Sequence, residues 1–131
     1  MPPKAKESLY PKDWFRIAAK DFKRAEHLVG IDDPEGAGYH LQQTIEKYLK
    51  GFLLSKGWEL KRIHDLEVLL NDALKYESTL EQFRSLSQEV TGYYIIDRYP
   101  MPSTATLTKK EVQLSIAEAG RLIQRLRALT K

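Results

Sequence analysis

Apolar residues recur at three- and four-residue steps along nearly the whole of this chain and almost nowhere alternate, so helices must build it. From Asp13, which reads as an N-cap, Trp14, Ile17, Ala18, Phe22, Ala25 and Val29 share one face. Ile31 to Gly36 is turn chemistry. A second helix is expected from about Ala37 to Lys56, with Leu41, Ile45, Tyr48, Leu49 and Phe52 inward and Gly57 ending it. A third should span about Asp65 to Tyr76, and a fourth about Thr79 to Ile95. Pro100 and Pro102 break the chain, and Thr108 followed by Glu111 has the spacing of a capping box for a last helix. Gly92 to Ile96 is the one short β-like stretch. Four to five amphipathic helices with mostly short connections predict an all-α, antiparallel up-and-down bundle.

At 131 residues, one domain over 13–131 is expected, behind a flexible basic tail over 1–12. The absence of cysteine excludes disulfides, thiolate metal sites and a cysteine nucleophile. No apolar run reaches the ~20 residues of a membrane span, and the first residues have no signal-peptide core, so a cytoplasmic protein is expected. The net charge of +3 divides unevenly. Residues 1–12 carry +2 and residues 109–131 carry +4, leaving −3 between them. Attraction for nucleic acid would on that count lie near the ends, where solvated helix faces are the ordinary alternative.

Three stretches carry the candidate chemistry. Along the second helix Gln43, Lys47 and Lys50 fall on one side, with Glu46 beside them. Two ammonium groups and an amide suit a phosphate; the same spacing suits a solvated face with an i,i+4 Glu46–Lys50 pair. His64 precedes Asp65, a natural cap for the third helix. His27, His40 and His64 show no metal-ligand spacing, and no metal or cofactor is implied. The fourth helix closes on Tyr93-Tyr94-Ile95-Ile96-Asp97-Arg98-Tyr99-Pro100. Arg98 offers a fork for phosphate, and Tyr94 or Tyr99 a ring for a base; packing and an acidic partner are the alternative. If the second and fourth helices run the same way, Lys50 and Arg98 share an end of the bundle. Neither belongs to an apolar stripe, so alanine at either should leave the fold intact.

The Gln43-x-x-Glu46-Lys47-x-x-Lys50 run, the His64-Asp65-Leu66 start and the Arg98-Tyr99-Pro100 stop resemble the HEPN family (higher eukaryotes and prokaryotes nucleotide-binding) over roughly Trp14 to Leu126. The resemblance implies a bundle of four or five helices, homodimerisation, and a minimal nucleotidyltransferase as protein partner in a toxin–antitoxin-like pair. It also implies a nucleotide or nucleic-acid ligand on Gln43, Lys47, Lys50, His64, Tyr94, Asp97, Arg98 and Tyr99. A large branch of the family cleaves RNA with an Arg followed, after four to six residues, by His. Counting from Arg98, those places hold Ser103, Thr104 and Ala105. The reading is therefore a non-catalytic binding module of the branch lacking that motif. A metal-independent ribonuclease in which His64 and Arg98 meet, and a purely structural interaction dimer, are its alternatives.

Overall fold

The computed structural model describes residues 6–100 and 106–130, with Asp97 and Arg98 described in backbone only. Among these residues every regular element is helical: α1 Pro11–Gly30, α2 Pro34–Ser55, α3 Leu66–Leu74, a 3₁₀ segment Ser78–Phe83, α4 Arg84–Arg98 and α5 Lys109–Thr130. The all-α bundle expected from periodicity is the fold. Residues 1–5 of the expected tail, Ser103 to Ala105, and the side chains of Asp97 and Arg98 lie outside the described residues.

Two helices start earlier than their apolar stripes suggested, each at a proline. Pro11 opens α1, where its missing N–H costs nothing, and Asp13 sits inside the first turn, accepting from the Ser8 hydroxyl at 2.6 Å. Pro34 opens α2 behind Asp33, whose carboxylate caps the Gly36 N–H at 3.1 Å. Gly57 takes φ +86° just past α2, the left-handed turn that a glycine permits. Thr108 and Glu111 form the capping box, with the Glu111 N–H donating to Thr108 Oγ1 at 3.2 Å.

The central element is α2, which packs against all four other α-helices. Leu41, Ile45, Tyr48, Leu49 and Phe52 are sealed, as their spacing predicted, but so are Gln42, Thr44, Glu46 and Lys50 on the other sides. Burying Tyr48 and Phe52 contributes about 2–3 kcal/mol each. Against this helix α1 runs antiparallel, with Phe15 beside Tyr48 and Gly51 and Asp21 beside Lys47.

The connection 56–65 is not a tight reversal. It returns alongside α2, so that the Gln42 amide reaches the His64 carbonyl at 2.9 Å and Trp58 Nε1 reaches Asp72 at 3.0 Å. Consequently α3 runs with α2, from the level of Gln42 towards that of Trp58. Antiparallel to α3 lies α4, with Thr91 Oγ1 accepting from the Leu66 N–H while Arg84 reaches Asn71 at the other end. Helices α2 and α4 therefore run in opposite directions. Gly38 faces Tyr93, and Tyr39 stacks on Tyr94 with centroids 5.9 Å apart. The shared end expected for Lys50 and Arg98 does not exist: the helical rise separates their levels by about 22 Å along the bundle.

Candidate functional site

The middle of α2 carries a buried polar cluster whose every member is satisfied. Glu46 is 4% exposed, yet its carboxylate accepts from Gln42 Nε2, Lys50 Nζ and His64 Nδ1, each at 3.1 Å. A carboxylate only accepts, so Nδ1 is the protonated nitrogen of His64 and a neutral ring keeps Nε2 as an acceptor. The imidazole is mostly exposed although its Nδ1 edge is held. Lys50, expected on a solvated face, is 3% exposed and sits 5.7 Å from the centroid of Trp14. Helix α1 and the connection 56–65 cover it, which the spacing along α2 alone does not reveal.

One turn away, Asp21 of α1 forms a second cluster. Its buried carboxylate accepts from Lys47 at 2.5 Å and Arg24 at 3.2 Å, and His40 Nδ1 lies 3.1 Å away. Lys47 is thus fixed at its tip and partly exposed along its length.

Over these clusters lies a recess of about 400 Å³. Gln43, Lys47, Lys50 and His64 line it, so half of the residues singled out from the sequence come together. Trp14 walls it, and Glu7, Glu46 and Arg62 complete it. Arg62 was missed because it belongs to the connection, where no periodicity places a side chain; its guanidinium makes no ion pair among the described residues. A second recess of about 330 Å³ continues along the same seam past Trp14, Lys47 and Arg16.

Tyr94 and Tyr99 do not line this recess, and the backbone of residues 97 and 98 lies with theirs. They belong to the far end of α4, where Tyr94 stacks on Tyr39 and Tyr99 is exposed. The Leu66 N–H donates to Thr91 Oγ1, which sets the start of α3 about 10 Å along the helix axis from the backbone of residue 98. Among the described residues no group of three or more His, Asp or Glu could hold a metal ion, and no helix is long and apolar enough to cross a membrane.

The sequence model described as HEPN domain matches residues 11–129. The crystal structure of TT1696 from Thermus thermophilus superposes with TM-score 0.81 at 24% identity, covering 91% of this chain and 97% of that one. ST0689, described as an archaeal HEPN homologue, superposes with TM-score 0.76 at 23% identity, covering 93% and 98%. No curated protein matches the sequence.

Proposed function

Since this chain belongs to the HEPN domain family, we propose that it is a non-catalytic module that binds a nucleotide through its phosphates in the Trp14–Arg62 recess. The observation that carries the reading is Arg62. An exposed guanidinium that makes no ion pair among the described residues stands beside Lys47 and His64 over a recess of about 400 Å³, within the size range of small-ligand sites. Trp14 offers a flat wall for a base. Lys50 does not take the phosphate, because its charge is spent on Glu46. The reading includes a homodimer and a nucleotidyltransferase as protein partner. In support, Ile95, Tyr99 and Leu114 leave apolar surface exposed on α4, just beyond it and on α5.

Calorimetric titration with ATP against inorganic phosphate tests the ligand. A charge-assisted contact contributes about 1.5–3 kcal/mol, so Arg62→Ala should weaken ATP binding at least tenfold. Unchanged binding would remove the recess from consideration. Cleavage of single-stranded RNA by the pure protein, lost in His64→Ala, would replace this reading by the ribonuclease.

A further inference from the structure

Ahead of α1 the chain folds back over the first turn of that helix, and one residue fastens it there. The Ser8 hydroxyl donates to Asp13 Oδ2 at 2.6 Å and accepts from the Tyr10 N–H at 3.0 Å, while the Ser8 carbonyl accepts from Trp14 Nε1 at 2.7 Å. Apolar packing adds little, since Leu9 and Tyr10 are 66% and 74% exposed. Lys6 and Glu7 are exposed too, and their side chains make no hydrogen bond or ion pair among the described residues. Residues 6–9 are therefore held by a polar clasp at Ser8.

The clasp decides where Glu7 stands: it lines both the Trp14–Arg62 recess and the smaller recess beyond Trp14. Most charges around these recesses are already matched. Lys50 is paired with Glu46 and Lys47 with Asp21, Asp13 is taken by Ser8, and His64 gives its Nδ1–H to Glu46. Arg16, Arg62 and Glu7 are the lining charges that make no ion pair among the described residues. Two free guanidiniums thus face one free carboxylate, and the carboxylate sits on the segment that the Ser8 clasp holds. The same clasp engages the edge of Trp14, the indole that walls the recess.

We propose that residues 6–9 are an autoinhibitory strap: fastened by Ser8, it keeps the Glu7 carboxylate at the recess as a built-in competitor that an anionic ligand must displace. The strap rests on the reading of the recess as a phosphate site and adds the regulation of that site. A tethered carboxylate needs no concentration of its own, because the chain holds it beside the guanidiniums. Closed, it repels an incoming anion and offers Arg62 a charge in its place. Binding and opening are then one equilibrium. The apparent affinity of the recess scales with the fraction of chains whose strap is open, and whatever holds or frees the Ser8 hydroxyl sets that fraction.

Calorimetry with ATP on Glu7→Gln and Ser8→Ala tests the strap, beside acrylamide quenching of Trp14 in a Trp58→Phe background, where it is the one indole left. Both changes lie ahead of α1, and circular dichroism checks the fold. Glu7→Gln removes the charge and keeps the clasp, so ATP affinity should rise about two- to fivefold, the scale of an exposed charge contact, with quenching unchanged. Ser8→Ala removes the clasp and keeps the charge; affinity should rise about three- to tenfold, as the loss of its hydrogen bonds allows, and Trp14 should quench more readily. If ATP binds the natural chain and both variants equally, the strap is wrong and the recess reading stands. If ATP binds none of them, both fall. Weaker binding in Glu7→Gln would make Glu7 a contact to the ligand and overturn the competitor. A gain in Ser8→Ala with no change in quenching would overturn the clasp.

Discussion

Lys50 Nζ lies 3.1 Å from Glu46 Oε2 with both side chains shut away from solvent, so the fold depends on a charge pair in its central helix. Taking one partner away leaves a buried, uncompensated charge. Such losses cost about 3–5 kcal/mol, whereas replacing both partners by apolar groups of similar volume is often neutral. Glu46→Gln and Lys50→Ala should each lower the urea midpoint by that order, and Glu46→Leu with Lys50→Met should recover most of it. The expectation that alanine at Lys50 is harmless thus gives way to its burial. A loss below about 1 kcal/mol in both single variants would mean that water reaches the pair.

How far the sequence speaks is visible in α2. The spacing of Leu41, Ile45, Tyr48, Leu49 and Phe52 named the face that meets the core, because a helix fixes the angle between its own side chains. It did not name what covers the opposite face. That depends on 56–65 doubling back along α2, an irregular segment held by Gln42 to the His64 carbonyl and by Trp58 to Asp72. The burial of Lys50, the direction of α4 and the place of Arg62 all follow from that return. Gln43, Lys47, Lys50 and His64 could be grouped beforehand because they border one helix face; Arg98 could not be separated from them.

Two glycines in helices should respond oppositely to alanine. A Cβ on Gly51 would stand 2.6 Å from Phe15 Cε1, inside the closest seam of α1 and α2. Overpacking of this kind costs about 1–3 kcal/mol. Gly92 in α4 is exposed, and a Cβ there meets nothing within 4 Å, so Gly92→Ala should gain about 0.5–1 kcal/mol from helix propensity. Thermal melts of the two variants check the pair; a stable Gly51→Ala protein would show that α1 can shift.

Alkaline stability should be tied to Tyr93. Burial raises its phenol above the ordinary 10.0, and the nearby carboxylates of Glu89 and Glu111 push the same way, against the hydrogen bond with Ser115. The neutral form is therefore favoured in the folded chain. Its contribution is whole below the unfolded pKa of 10 and is lost as pH climbs from there towards the folded value. Denaturation midpoints measured from pH 8 to 11 should fall more gently in Tyr93→Phe than in the natural chain. Equal slopes would place the titration elsewhere.

The two arginines separate the two ends of the molecule. Arg62 lines the recess with Lys47 and His64, whereas residue 98 closes α4 beyond the stacked Tyr39 and Tyr94. Because α2 and α4 run in opposite directions, the backbone of residue 98 lies about 18 Å along the bundle from the level of Lys47 on the recess wall. Arg62→Ala should therefore weaken ATP binding at least tenfold, the loss of one charge-assisted contact, while Arg98→Ala leaves it within twofold. Light scattering belongs beside the titration, since the end of α4 carries exposed apolar surface at Ile95, with Tyr99 just beyond it. If Arg98→Ala abolishes ATP binding and leaves a dimer intact, the nucleotide sits at the α4 end and the Trp14–Arg62 recess is not its site. If binding falls together with the dimer, the partner copy brings its own Arg98 to the recess, and the site belongs to two chains.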